Sequence, residues 1–133
     1  MDLIGGDYMW FWIFMFICNL IVPLLMIIFG KVMYQHTPKT INSIYGYRTK
    51  MSMKNKETWQ FAHNCCGKLW VKIGYIMLVP TIIVQLPFIN SNPNIIGTIG
   101  GVISIFQIAA LLYSIVLVEK GLKINFDSDG RRR

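Results

Sequence analysis

Acidic side chains are scarce in this chain: Asp and Glu total 6 against 13 Lys and Arg. Acid–base hydrolysis needs positioned carboxylates or their equivalents, so this scarcity argues against a hydrolase. Cysteine is also sparse. Cys18, Cys65 and Cys66 are too few for a disulfide framework, and all three are expected to be reduced thiols. The chain has no nucleotide-binding motif, internal repeat or low-complexity tract. The most informative absence is local. Residues 8–30 and 73–118 contain no Asp, Glu, Lys or Arg. Ion- or proton-coupled transport usually relies on an intramembrane ionisable group, and Asn19, Gln85 and Gln107 do not exchange protons at ordinary pH. A coupled antiporter is therefore disfavoured.

What is present is apolar surface, gathered into runs. Hydrophobic residues make up 54% of the chain and mean hydropathy is +0.49. A helix needs about 20 apolar residues to cross about 30 Å of hydrocarbon. The first run supplies one crossing. The second is twice as long as one crossing needs and is broken by "NSNPN" (90–94), so it reads as a hairpin of two. No polar face interrupts either run, which argues against a soluble helical core. A cleavable signal peptide is disfavoured because "MDLIGGD" is acidic and carries no Lys or Arg.

The expected fold is an all-α membrane protein in one domain, 1–123. Its transmembrane helices are expected at about 8–33, 55–89 and 95–118, with a cytoplasmic amphipathic helical segment between the first and second. Residues 124–133 are expected to be a disordered tail. The net charge of +7 could suggest nucleic acid, but its distribution points elsewhere. Lys31, Lys39, Arg48, Lys50, Lys54, Lys56, Lys68 and Lys72 lie between the first crossing and the hairpin, and Lys120, Lys123 and Arg131 to Arg133 follow the last crossing. This positive-inside asymmetry places the N-terminus and the Asn90 turn outside a plasma membrane, with 31–72 and the C-terminus in the cytoplasm. Membrane lipids, not nucleic acid, are the implied direct partner.

Within the crossings, Asn19 is expected to bond a neighbouring helix, and Pro23 to free a carbonyl near it. Trp10 and Trp12 fall near the outer interface. Gly97 and Gly101 form a small-xxx-small pair that serves either packing within the chain or a homodimer.

The polar insert between the runs holds a single acid, Glu57, from 42 to 70. Asn55 is the expected N-cap of a helix, with Glu57 in its first turn. Trp59, His63, Cys66, Gly67, Trp70 and Gly74 share one face, and Lys56, Gln60, Asn64, Lys68 and Lys72 the other. Such a helix either lies on an anionic membrane surface or runs on into the second crossing. Tyr45 and Tyr47 are expected to pack at the interface. Arg48 is either an anchor for lipid phosphates or part of a specific site, and a pair with Glu57 is its natural intramolecular contact. Trp59 and Trp70 read as interface belts rather than ligand platforms. His63 and Cys66 can share a face, but two ligands do not make a metal site or a nucleophile–base–orienter set, so no metal or cofactor is assigned.

The pattern N-x-x-x-G-Y-R-T, a Ser-containing spacer, then N-K-E-T-W-x-x-A-x-N-x-x-G covers 42–67. It resembles the signature of the SdpI family of bacterial membrane proteins. The motif falls on Asn42, Gly46, Tyr47, Arg48, Thr49, Glu57, Thr58, Trp59, Asn64 and Gly67. The resemblance implies a non-enzymatic immunity protein of the plasma membrane, which protects the producing cell against a secreted peptide toxin. It also implies signalling that holds a cytoplasmic transcriptional repressor at the membrane. Longer members carry extra crossings before this domain. The alternative is a small transporter or enzyme that removes the toxin or another hydrophobic compound. In the immunity reading the toxin meets the helices inside the bilayer, where Asn19, Gln85 and Gln107 bond its backbone.

The charge asymmetry makes a direct prediction. An impermeant amine reagent applied to intact cells should leave the lysines of 31–72 unlabelled, and permeabilisation should expose them; labelling without permeabilisation would invert the topology.

Overall fold

The computed structural model describes residues 2–42 and 46–133, with side chains from Met9 onward; Tyr45 lies outside the described residues. Three helices dominate: α1 (Asp2–Gln35), α2 (Lys56–Gln85) and α3 (Pro93–Asn125). A short 3-10 turn, Leu86–Phe88, leads from α2 into the hairpin. The spans Met9–Gln35, Lys56–Phe88 and Pro93–Asn125 are each long and apolar enough to cross a membrane. At 34 residues, α1 is about 50 Å long, so it exceeds a hydrocarbon layer of about 30 Å.

The helix starts follow from local chemistry. Asn55 adopts an extended backbone, and its side chain accepts the Thr58 N–H at 2.9 Å while Thr58 Oγ1 accepts the Asn55 N–H at 3.0 Å. This reciprocal box satisfies two otherwise orphaned donors. At the hairpin, Asn92 Oδ1 accepts the Ile95 N–H and Pro93 occupies the first turn of α3, where a missing N–H costs nothing.

The amphipathic stretch is not a separate surface segment; it forms the first half of a continuous α2. Its aromatic face is turned into the protein. Trp59, Ala62, His63, Cys66, Gly67 and Gly74 are buried, whereas Lys56, Gln60, Asn64, Lys68 and Lys72 are exposed. Protein, rather than lipid headgroups, covers that face because α2 meets α1 at glycine. A Cβ added to Gly67 would lie 2.6 Å from the Gly30 carbonyl oxygen, and one added to Gly30 would lie 2.7 Å from that of Gly67. The two backbones touch. Gly97 and Gly101 do not play this role within the chain. A Cβ on Gly101 would meet nothing within 4 Å, while the neighbouring Gly100 is the one packed against Met15 and Asn19.

A polar layer crosses the bundle's centre. Pro23 has no N–H, so the Asn19 carbonyl lacks its helical donor. Gln107 Nε2 supplies one at 2.7 Å and lies 3.3 Å from Thr81 Oγ1. Asn19 Nδ2 donates to the Gly100 carbonyl at 3.1 Å and to Ser104 Oγ at 2.9 Å. All three helices are joined in this way. Trp12 belongs to the core rather than the interface: its indole N–H donates to the Gln85 carbonyl at 2.9 Å, while Trp10 stays exposed.

The tail corrects the expectation of disorder over 124–133. Phe126 is fully buried, edge-on to Phe61 at 5.6 Å. Arg132 lies over the Phe126 ring, and Asn55 Nδ2 donates to the Gly130 carbonyl at 2.6 Å. The Arg131 N–H donates to Asp127 Oδ1, which holds that carboxyl below its usual range. The polar letters of the tail hid one aromatic anchor, and burying a Phe side chain contributes about 1.5–3 kcal/mol.

Substituting Gly67→Ala should force α1 and α2 apart and lower stability by about 1–3 kcal/mol, whereas Gly101→Ala should not lower it; thermal unfolding of both in mild detergent checks the contrast.

Candidate functional site

Gly46, Tyr47, Thr49, Thr58 and Trp59 of the signature gather where the loop after α1 crosses the ends of α2 and α3. Gly46 turns the chain at φ +110, and a Cβ there would strike the His63 ring. Close approach and positive φ together make glycine the fitting residue. Directly after it, the Tyr47 N–H donates to His63 Nε2 at 2.9 Å. An amide N–H can only donate, so Nε2 is the bare nitrogen. The ring proton then sits on Nδ1, which donates to the Trp59 carbonyl at 2.8 Å. His63 is therefore a neutral, buried bracket for the loop. Trp59 is fully buried, tilts over His63 with ring centroids 4.2 Å apart, and donates its indole N–H to the Pro38 carbonyl at 2.9 Å. It is a core residue, not the interface belt its type suggested.

The next turn of the loop reaches α3. Tyr47 OH donates to Glu119 Oε2 at 2.6 Å and Thr49 Oγ1 donates to the same oxygen at 2.8 Å. Burial, reinforced by the adjoining Glu119 carboxylate, pushes the Tyr47 phenol above its ordinary value of 10.0. Ser52 Oγ accepts the Thr49 N–H at 2.9 Å and donates to the Tyr47 carbonyl at 3.0 Å. Thr58 Oγ1, besides capping α2, donates to the Ser52 carbonyl at 3.0 Å. A chain of short bonds thus runs from the α2 cap through the loop to α3.

Arg48, Glu57 and Asn64 of the signature face outward. Arg48 is exposed and Glu57 does not pair with it. Glu57 instead meets Arg132 at 3.5 Å, because the tail's return brings that guanidinium to the start of α2. Both partners are solvent-exposed, so the pair contributes little stability. Asn64 is exposed on α2, lining a shallow dish of about 450 Å³ with Glu57, Gln60, Phe61, Lys68 and Arg132. Asn42 Nδ2 donates to the Thr40 carbonyl at 3.3 Å, apart from the Tyr47–Glu119 cluster. Gly67 acts at the α1 contact described above. The side-chain nitrogens of Asn19, Gln85 and Gln107, expected to meet a ligand's backbone, are engaged within the protein, Gln85 Nε2 donating to the Thr81 carbonyl at 2.9 Å, while Asn19 Oδ1 is buried without a partner among the described residues.

Glu119 and Ser52 were missed by the sequence reading. A signal for Glu119 existed: it is the sole acid between Glu57 and Asp127, placed directly after the uncharged run. His63 was weighed as a ligand or base, and its actual role depends on a loop contact 16 residues away. Among the described residues, no group of three or more His, Cys, Asp or Glu side chains is placed to hold a metal ion.

Two open spaces have binding character. One is a groove of about 320 Å³ between α2 and α3, walled by Met77, Pro80, Val84, Val102 and Phe106, with the buried Thr81 and Gln107 also lining it. The other, about 460 Å³, lies beneath the loop and is lined by residues from all three helices.

Comparison with known proteins places this arrangement. The sequence model of the SdpI/YfhL protein family matches residues 39–118. The chain is also similar to a Bacillus subtilis (strain 168) protein named "Uncharacterized protein YfhL". Identity is 34% over 109 residues, covering 82% of this chain and 89% of that protein. No solved structure matches.

Tyr47→Phe and Glu119→Gln should each destabilise the loop by about 1–3 kcal/mol, and the double variant should cost less than the sum because both remove one contact. Because the folded-state phenol is raised, its contribution is complete below the unfolded value near 10 and lost as pH rises beyond it. Hydrogen-exchange protection of 46–52 should therefore hold from neutral pH to about 10 and then fall, less steeply in Tyr47→Phe.

Proposed function

Because the chain belongs to the SdpI/YfhL family, we propose that this multi-pass membrane protein is an immunity protein. It protects its cell against a secreted, membrane-active peptide by binding the peptide within the bilayer. One observation carries the reading: the inward signature residues direct their polar atoms at one another. Tyr47, Thr49, Thr58 and Trp59 of the signature, with Ser52 and His63 beside them, bond within the protein or to Glu119. A catalytic group has to reach a substrate atom within hydrogen-bond distance. A signature turned inward builds a shape instead, which favours binding over turnover.

The peptide's site in this proposal is the α2–α3 groove. Its walls are almost wholly apolar, which suits side chains already dissolved in lipid. Gln107 and Thr81 sit where a backbone amide loses its water and gains from any polar neighbour. The loop end of the bundle is cytoplasmic in this reading, following the positive-inside asymmetry. A second reading, signalling to a cytoplasmic repressor, draws on the exposed dish of Glu57, Gln60, Asn64, Lys68 and Arg132. Its mixed charges and amides suit a protein surface. Removal of the toxin by transport or cleavage is the competing alternative.

The test is peptide challenge of a sensitive strain expressing the chain. Protection is expected, with intact toxin recovered quantitatively from the culture. Ala110→Trp, which fills the groove without touching the loop, should abolish protection while membrane insertion is retained. Full protection by that variant would exclude the groove, and disappearance of intact toxin would favour removal.

A further inference from the structure

We infer that the cleft beneath the loop, between α1 and α3, holds one anionic glycerophospholipid, its acyl chain on the apolar floor and its phosphate on Arg48. The inference goes beyond immunity and does not depend on it. The cleft is lined by Phe29 and Met33 of α1, Trp70 of α2, Ile115 of α3 and the loop residues 46–49. Trp70 contributes only its ring surface, because its indole N–H is already donated to Ser114 Oγ at 3.0 Å. The Tyr47 hydroxyl is likewise taken by Glu119. The floor therefore offers contact area without polar demands, which is what a hydrocarbon chain requires.

Position along the bundle selects an amphiphile. The uncharged run of α1 ends at Gly30, so Phe29 and Met33 straddle its boundary with Lys31. On α3, Ile115 lies one turn inside the boundary set by Glu119. The cleft thus spans the level at which hydrocarbon gives way to headgroups. A wholly apolar occupant would leave the Arg48 end uncovered, and a soluble anion would leave the floor uncovered. A phospholipid covers both, and it is the molecule that surrounds this protein at high concentration.

Charge selects the headgroup. Arg48 has no carboxylate partner among the described residues: Glu57 meets Arg132, and Glu119 receives Tyr47 and Thr49. Its planar fork matches two phosphate oxygens, and a headgroup without choline's quaternary ammonium places no further cation beside Arg48 and Lys50. Lys50 follows on the same loop, and the chain's net charge of +7 adds a general attraction for anionic lipid. General attraction alone would not require the cleft, so the test separates the two.

The experiment is native mass spectrometry of the full chain released from vesicles containing equal phosphatidylglycerol and phosphatidylcholine. One retained phosphatidylglycerol per chain is expected, preferred over phosphatidylcholine by about tenfold. Arg48→Gln, an exposed change that leaves the core intact, should reduce the preference to about twofold or less. Ile115→Trp, which fills the cleft and keeps every charge, should retain no lipid while melting within a few degrees of the parent in detergent. Retention of phosphatidylglycerol by Ile115→Trp would show annular lipid and overturn the inference. So would an unchanged preference in Arg48→Gln, displacement of the lipid by millimolar inorganic phosphate, or a peptide rather than a lipid released from the parent's cleft.

Discussion

Inside hydrocarbon, the Asn19 carbonyl that Pro23 strips of its helical donor has no water to turn to, and the nearest remedy lies 88 residues away in Gln107. An unmet backbone carbonyl at that depth costs several kcal/mol. The remedy dictates how α3 is rotated against α1. With Gln107 aimed at Asn19, Ser104 and Gly100 are brought to the Asn19 amide, and Thr81 of α2 is drawn into the same layer. Helices surrounded by lipid gain little from apolar burial against one another. A polar layer of this kind, with the glycine contact between Gly30 and Gly67, supplies the specificity that hydrophobicity cannot.

The loop end solves a different problem. A basic, partly hydrated segment has to be held down on three greasy helices without a hydrophobic run of its own. Backbone donors and small hydroxyls do this work, through His63 on α2 and the single carboxylate of Glu119 on α3. Placing that carboxylate among lysines leaves the inward cluster compensated and Arg48 without an acid to pair with among the described residues. The signature therefore divides by direction. Gly46, Tyr47, Thr49, Thr58, Trp59 and Gly67 build the end of the bundle, while Arg48, Glu57 and Asn64 face outward, where partners can reach them.

Much of this was legible in the letters, and the failures have physical causes. Charge-free runs mark crossings because transfer to hydrocarbon depends on each segment's own hydropathy. Asn55 as a cap and Pro23 as the source of a freed carbonyl are effects within one helical turn, and both were readable. The two faces of α2 were also readable, but not what covers them: the aromatic face looked suited to headgroups and is covered by α1 and the loop. Phe126 went unnoticed because a lone aromatic among Asp, Ser, Gly and Arg has no periodic neighbours.

Residue order thus settled the number of helices able to cross a membrane, the end of the bundle at which positive charge accumulates, and the membership of the inward and outward faces of α2. All of these arise from interactions between near neighbours or between a segment and its solvent. The pairings of Tyr47 with Glu119, Glu57 with Arg132, Asn19 with Gln107 and Gly30 with Gly67 were decided by folding. Each joins separate elements, across 72 residues in the first case, and depends on the rotation and spacing of whole helices, which no local pattern encodes.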